Sequence, residues 1–451
     1  MNKHSLAAQA ALVAALSAVC TPSHALDLMG SYERALQADP SLRAAQSALL
    51  AGREKAAQGN ALLRPQIGLS AGATRLDDRS SSTLQPPLSE LLKRSSSGTV
   101  QQAALQLKQP LYDVKSAAEK QQMHEQAGIA EVQFRHAQQA LIQQVGETYF
   151  GVLLAQESLQ VTAAEKAAVQ LQRDRAQARF DVGRGKITDL QEAQARLDSV
   201  AAKEVSATSR LALAQAQYQE LTGTPAEGLA PLQARLVPVP PAPDSLAAWQ
   251  TRGHEANTRV LLRQRELAIA TQETRKTTLQ ARPTLDLVAS YTARNASGSL
   301  SPVSAPDGNR SAAIGVQLSV PLYAGGAIDS RQRESVAKQG QAGDELAAAQ
   351  RDARLQVQDA FLAVKTGVAR IAALEQSLAS TRTALEATTL GRDVGTRTEL
   401  DVLDAQQRMY AAQLDLAQAR NDYLLGRLKL GAAAGELAEG DLQALNGYLS
   451  H

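Results

Sequence analysis

The chain of 451 residues is poor in the side chains that usually build a large core. Aromatics make up 3% of it, with one Trp and four Phe. A globular interior of this size ordinarily needs many more large rings. Ala, Gln, Leu and Arg dominate instead, which suits long helices that approach closely through small residues. Cysteine is nearly absent. The single Cys20 lies in the leader described below, so the mature chain has no thiol and no disulfide. Charge of one sign is also lacking: the net charge is +2, so no strong field invites nucleic acid. No stretch beyond the leader approaches 18 apolar residues, which excludes transmembrane helices.

What is present begins with a leader. Lys3 and His4 precede an apolar run from Leu6 to Val19, and Ser23-His24-Ala25 is a small-x-small cleavage site. Residues 1–25 therefore read as a signal peptide, with the mature chain beginning at Leu26 and exported. Val19 stands where a bacterial lipidation signal needs a small residue, so Cys20 is read as an ordinary signal-peptide cysteine.

The rest reads as a tandem duplication. Leu63-Arg64-Pro65 recurs as Ala281-Arg282-Pro283, and Gln106-Leu107-Lys108-Gln109-Pro110-Leu111-Tyr112 as Gln317-Leu318-Ser319-Val320-Pro321-Leu322-Tyr323. Asp181-Val182-Gly183 followed by Ile187-Thr188-Asp189-Leu190 recurs as Asp393-Val394-Gly395 followed by Glu399-Leu400-Asp401-Val402. Landmarks in one order at nearly one offset mark two copies of one unit. The first repeat spans 26–237 and the second 244–447. Residues 238–243, with Pro238, Pro240, Pro241 and Pro243, form an extended linker.

Each repeat predicts the same elements. A short helix (41–63, then 258–281) is stopped at Arg-Pro. Period-two alternation then gives a strand pair, about 66–75 and 98–110, then about 284–294 and 311–321. Polar loops at 76–97 and 295–310 join the strands, and Pro110 and Pro321 are expected to end the ladders. A very long helix follows, 115–180 and 327–390; about 65 residues rise roughly 100 Å. Its apolar seam keeps 4-3 spacing: Leu141, Val145, Thr148, Val152, Ala155 and Leu159, then Val357, Phe361, Val364, Val368, Ile371, Leu378 and Leu385, with Glu375 and Arg382 interrupting. That is coiled-coil packing. Hairpin tips at 181–189 and 391–399 reverse the chain into return helices 190–222 and 400–433.

Four half-apolar strands either pack as a small soluble sheet on the helices or enter lipid. Four strands cannot close their own edges in lipid, so a membrane barrel would have to be shared between chains. The element order, Gln-Leu-x-x-Pro-Leu-Tyr, Val394-Gly395-Thr396-Arg397-Thr398 with Leu400-Asp401-Val402-Leu403-Asp404-Ala405, and the tail Gly435-Glu436-Leu437 resemble the TolC-type outer membrane factors. The resemblance covers nearly the whole mature chain. It implies an α+β membrane protein: a homotrimer sharing one 12-stranded β-barrel in outer-membrane lipid, continuous with a long α-helical coiled-coil barrel in the periplasm. It implies the exit duct of a tripartite machine, with a periplasmic adaptor (membrane fusion) protein and an inner-membrane ABC transporter for type I protein secretion. A proton-driven pump for multidrug efflux is the alternative. From the residues alone, a periplasmic coiled-coil scaffold without a pore stays open.

The site residues follow the resemblance. Asp401 and Asp404 match the entrance constriction, which in a trimer implies a ring of six carboxylates able to bind cations and to titrate upward as neighbours repel. The same Asp401 completes a capping box with Thr398, a purely structural role. Arg397 and Asp189 match the pair that holds the closed state, alternatively an ordinary surface ion pair. Arg392 stands where the family has a tyrosine, and brings a further positive charge to that lock. Val182, Gly183, Val394, Gly395 and Thr396 resemble the tips that adaptor helices grip. No metal-ligand spacing, phosphate loop or nucleophile motif is present, so neither an enzyme nor a cofactor is expected.

Overall fold

The computed structural model describes residues 26–79, 95–298 and 307–450. The leader lies outside the described residues, as do the centres of the two inter-strand loops. Nine α-helices and four strands are found among the described residues. They are α1 (Leu28–Ala38), α2 (Pro40–Ala61), β1 (Gln66–Arg79), β2 (Ser95–Tyr112), α3 (Val114–Asp181), α4 (Ile187–Thr222), α5 (Leu246–Ala256), α6 (Thr258–Thr278), β3 (Thr284–Ala296), β4 (Asp307–Ser319), α7 (Ala327–Asp393), α8 (Glu399–Ala434) and α9 (Glu439–Asn446). A single 3-10 turn, Leu279–Ala281, follows α6. The described residues divide into two compact units: one holds residues 26–45, 135–258 and 350–450, the other 46–79, 95–134, 259–298 and 307–349.

The second of these units carries one antiparallel sheet in the order β1-β2-β3-β4. The central pairing joins β2 of the first repeat to β3 of the second, from Val100↔Ala296 to Tyr112↔Leu285. β1 and β4 are therefore the outer strands, each paired on one side only among the described residues. Alternation sorts the side chains onto two faces. Ile67, Leu69, Leu105, Leu107, Leu287, Ala289, Ile314 and Val316 share one face through the pairings Ile67↔Leu107, Leu107↔Ala289, Ala289↔Ile314 and their neighbours. This face is not covered: Ile67 is 68% exposed, Leu69 76% and Ile314 78%. A soluble sheet packed on helices would hide it. The opposite face is polar, with Gln66, Ser70, Gln102, Gln106, Ser290 and Thr292, and an ion pair between Lys108 and Asp286 at 3.1 Å.

The strands run longer than the alternation indicates. β1 reaches Arg79, and β2 starts at Ser95 and passes through Pro110 to Tyr112. Pro110 does not end the ladder, because a register shift between Pro110 and Tyr112 lets the chain step past the missing donor. β4 stops at Ser319, before Pro321. The polar stretches 76–97 and 295–310 thus contribute strand residues at both ends, since the ladder's backbone bonds outweigh their weak strand propensity.

The other unit is built on buried apolar residues of α3, α4, α7 and α8. The 4-3 seams supply Leu141, Val145, Val152, Phe361, Val364, Ile371 and Leu378 to one core. With so few rings available, three tyrosines act as its hubs. The Tyr149 hydroxyl lies 2.9 Å from the Ala230 carbonyl and 3.1 Å from that of Leu26. Tyr218 meets Ser31 at 2.7 Å. Tyr423 donates to the Val239 carbonyl at 2.8 Å and accepts from its N–H at 2.7 Å, which pins the Pro-rich linker to the core. Burial disfavours the phenolate at all three and raises their pKa values. The short helices α1 and α5, which the periodicity does not announce, precede the expected helices in each repeat. α1 is tied to α9: the Asn446 amide donates to Asp27 at 2.8 Å and accepts from the Leu28 N–H at 3.0 Å.

Two glycines separate conformational freedom from close approach. Gly395 and Gly435 have φ values of 80° and 76°. Nothing lies within 4 Å of the place a Cβ would take at Gly395, whereas at Gly435 it would sit 2.1 Å from the Ala256 carbonyl oxygen. Gly395→Ala is expected to cost only the left-handed backbone penalty, about 1–2 kcal/mol. Gly435→Ala adds a backbone clash and is expected to cost more than about 3 kcal/mol. Thermal unfolding of the two variants measures the difference; equal losses would mean that α8 can shift away from Ala256.

Candidate functional site

The two hairpin tips close by the same backbone scheme. At the first, the Gly183 N–H bonds the Phe180 carbonyl at 2.9 Å and the Arg184 N–H that of Arg179 at 2.8 Å. At the second, Gly395 bonds Arg392 at 3.0 Å and Thr396 bonds Gly391 at 2.8 Å. Both use a left-handed glycine to satisfy the last carbonyls of a long helix. The reversal leaves one valine at each tip in solvent, Val182 at 69% and Val394 at 68% exposure. Such paired apolar knobs have no role in the chain's own packing.

The starts of the return helices differ. α4 begins after Lys186 with no side-chain cap, and Asp189 lies in its first turn. α8 begins with a complete capping box. The Asp401 N–H donates to Thr398 Oγ1 at 3.1 Å, and Asp401 Oδ2 accepts from the Thr398 N–H at 2.8 Å and its hydroxyl at 2.9 Å. These donors, backbone first and hydroxyl second, hold the Asp401 carboxyl below its ordinary value, with Arg397 and Arg408 adding a smaller pull. Within one chain the two donors on the carboxylate outweigh the small opposing effect of burial.

Asp404 is held differently. Its Oδ1 lies 2.8 Å from Nη2 of Arg196 on α4, and Nη1 of the same guanidinium bonds Oε1 of Gln407. Behind this pair, Val169, Ala193, Val200 and Leu403 form a small buried cluster that seats α8 against α3 and α4. Asp401 and Asp404 therefore share a helix face but not an environment. Only Asp401 lacks a cation at ion-pair distance among the described residues.

Arg392 is not a free positive charge. Its guanidinium is buried, with 5% of the side chain exposed, and lies 3.3 Å from Glu399, 2.7 Å from Asp393 and 3.1 Å from Gln172. Glu399 is equally buried and also meets Arg179 of α3 at 3.1 Å. Burial opposes the Arg392 charge, but the hydrogen bonds and charges of Asp393 and Glu399 prevail and raise its pKa. This cluster ties the end of α7 to the start of α8 and to α3 of the other repeat. Arg397 and Asp189 are not paired with each other within one chain, and neither has an ion-pair partner among the described residues.

Sequence reasoning finds the tips and Asp401 but misses Glu399, Arg179, Gln172 and Arg196. One signal for Arg196 is the repeat itself, since Arg196 stands where the second repeat has Arg408, seven residues beyond Asp189 and Asp401 respectively. Nothing in the spacing shows that it reaches across to Asp404. Among the described residues no group of three or more His, Cys, Asp or Glu could hold a metal ion, and no helix is long and apolar enough to cross a membrane.

Known proteins bear on this arrangement. The family profile described as Outer membrane efflux protein matches residues 31–224 and 261–436, one match per repeat. Outer membrane protein TolC of Vibrio cholerae serotype O1 is 32% identical over 97% of this chain and 97% of its own. Alkaline protease secretion protein AprF of Pseudomonas aeruginosa is 31% identical over 93% of this chain and 86% of its own. The crystal structure of outer membrane protein VceC from Vibrio cholerae superposes with a TM-score of 0.75 at 20% identity, covering 90% of this chain and 96% of that one.

The buried and capped charges separate by pH and by substitution. Glu399→Ala leaves Arg392 buried without its carboxylate on α8 and is expected to cost about 3 kcal/mol. Arg179→Ala, at a half-exposed position, is expected to cost under about 1 kcal/mol. Chemical unfolding decides between them, and equal losses would place the weight on Arg179. For Asp401 the folded pKa lies below the unfolded one, so its cap stabilises above the ordinary value of 3.8 and is lost as pH falls through the lower folded value. Hydrogen exchange of the 394–404 peptide is expected to lose its difference from Asp401→Ala only in that acid range.

Proposed function

The chain belongs to the outer membrane efflux protein family, and from that membership we propose that it is an outer-membrane channel-tunnel, the exit duct of a tripartite export machine. The observation that carries this reading is the sheet. It has two outer strands, each paired on one side only, and an uncovered apolar face, and both needs are met at once if three copies place their strands side by side in lipid as one 12-stranded barrel. The long helices then form the periplasmic tunnel, and a homotrimer is the functional unit. A periplasmic scaffold without a pore would leave the apolar face in water, at a cost such proteins avoid.

The tips fit the inner end of that duct. Val182 with Gly183, and Val394 with Gly395 and Thr396, offer exposed knobs for the helices of a periplasmic adaptor protein. Arg397 and Asp189 lack ion-pair partners among the described residues, which leaves both available for a bond between neighbouring protomers that holds the closed state. Asp401 and Asp404 belong to the constriction, with Asp401 the freer carboxylate. Arg392 serves as an internal brace between α7 and α8 rather than as part of the bond that breaks.

Type I protein secretion is the activity we favour, with an inner-membrane ABC transporter as the energy source. Its support is the likeness to a relative named for alkaline protease secretion, over most of both chains. The family description, which speaks of efflux, favours a drug-efflux duct with a proton-driven pump as the second reading.

Deletion of the gene is expected to remove specific proteins from the culture supernatant while drug sensitivity stays unchanged; the reverse pattern selects efflux. The protein is expected in the outer-membrane fraction, and recovery in the soluble periplasm would overturn both readings. Arg397→Ser is expected to raise the conductance of the closed pore in planar bilayers, and an unchanged conductance would remove Arg397 from the closed-state bond.

A further inference from the structure

We propose that Arg196 sets the charge of the constriction by neutralising Asp404, so that each chain presents one free carboxylate rather than two. The inference rests on the reading that Asp401 and Asp404 line the narrow end of the duct. It starts from a difference between two carboxylates three residues apart on one helix. Among the described residues, the Asp401 carboxylate is bonded by its own cap at Thr398 and by no cation. Asp404 is bonded by a guanidinium from the other repeat, at 2.8 Å.

The geometry is that of a fork. One arm of Arg196 takes Asp404 and the other takes Gln407, one turn further along the same face of α8. A planar guanidinium spanning two successive positions is better oriented than a single flexible contact. The pair is also partly withdrawn from water, with 28% of the Arg196 side chain and 44% of Asp404 exposed. The apolar cluster of Val169, Ala193, Val200 and Leu403 closes the side beneath it. Salt and solvent therefore screen the pair less than a surface contact. Arg397 and Arg408 add positive potential at Asp401. Around the two carboxylates of the second tip the chain thus gathers three arginines.

The consequence concerns what the entrance binds and repels. A ring of six free carboxylates would capture hydrated polyvalent cations and exclude anions. With Arg196 in place, three copies offer three free carboxylates inside a mixed-sign collar. Such an entrance binds polyvalent cations weakly and admits anions and acidic polypeptide segments more readily. Arg196 is a positioning residue here: it acts through Asp404 and needs no contact with the cargo.

The test uses the full-length trimer in planar bilayers with Mg2+ and Gd3+ as probes. Arg196→Gln is expected to lower the concentration of Gd3+ that half-blocks the pore about tenfold, and to shift the reversal potential toward cations. Arg196→Lys is expected to stay near the parent protein. Arg196→Gln combined with Asp404→Asn is expected to return block to the parent level, since the freed carboxylate is gone. Detergent-resistant trimers confirm assembly, and Arg196→Leu repeats the charge loss with a side chain that packs on Leu403 if Arg196→Gln does not assemble. Asp401→Asn separates the two failures. If it weakens block while Arg196→Gln leaves block unchanged, the role of Arg196 is overturned. If neither changes block, the constriction reading itself falls, and the inference with it.

Discussion

Backbone hydrogen bonding at the edges of the sheet constrains everything else in this protein. The β2–β3 pairing joins strands from two repeats that are far apart in sequence, and so makes four strands from two hairpins. It leaves β1 and β4 each paired on one side only among the described residues. In lipid an unpaired backbone group costs several kcal/mol, so further strands must come from outside the chain. The uncovered face bearing Ile67, Leu69 and Ile314 makes the same demand in apolar surface. Assembly in the proposed channel is thus a consequence of backbone chemistry before it is a matter of any specific contact.

The helical unit solves a different problem. It must pack long helices with almost no aromatic residues. Small residues let helices approach, and the 4-3 seams supply a regular stripe of Val, Leu and Ile. The few rings are then placed where they do most. Tyr149, Tyr218 and Tyr423 each bury a ring and use the hydroxyl to fasten a neighbouring segment: Leu26 and the Ala230 segment, α1, and the linker at Val239. The linker between repeats is therefore fastened to the core at Val239 and is not a free tether.

The tips show how a duplicated element is specialised. The backbone closure is shared, down to the left-handed glycine and the exposed valine. The charges are not. The first tip has an uncapped start and Asp189 without an ion-pair partner, while the second has a full cap, a buried Arg392–Glu399 pair and an Asp404 claimed by Arg196. The buried pair is an expensive way to join α7 to α8, since desolvation consumes much of the attraction. Its return is geometric definition at the point where the chain reverses.

The amino-acid sequence by itself determined the repeat, the order of strand pairs and long helices, both glycine turns and the capping box at Thr398. Each of these is local: periodicity, a turn residue, a cap three residues from its partner. The resemblance to the family carried the candidate site as far as Asp401, Asp404, Arg397 and Asp189. Tertiary structure decided the rest. That Pro110 lies inside a strand depends on a register shift against β3. That Arg392 is buried depends on Glu399, Gln172 and Arg179 meeting from three helices. That Asp404 has an ion-pair partner among the described residues while Asp401 has none depends on α4 bringing Arg196 across from the other repeat. Spacing along one helix shows which side chains share a face, but the partner that sets their charge comes from a distant part of the chain, and only the fold brings it there.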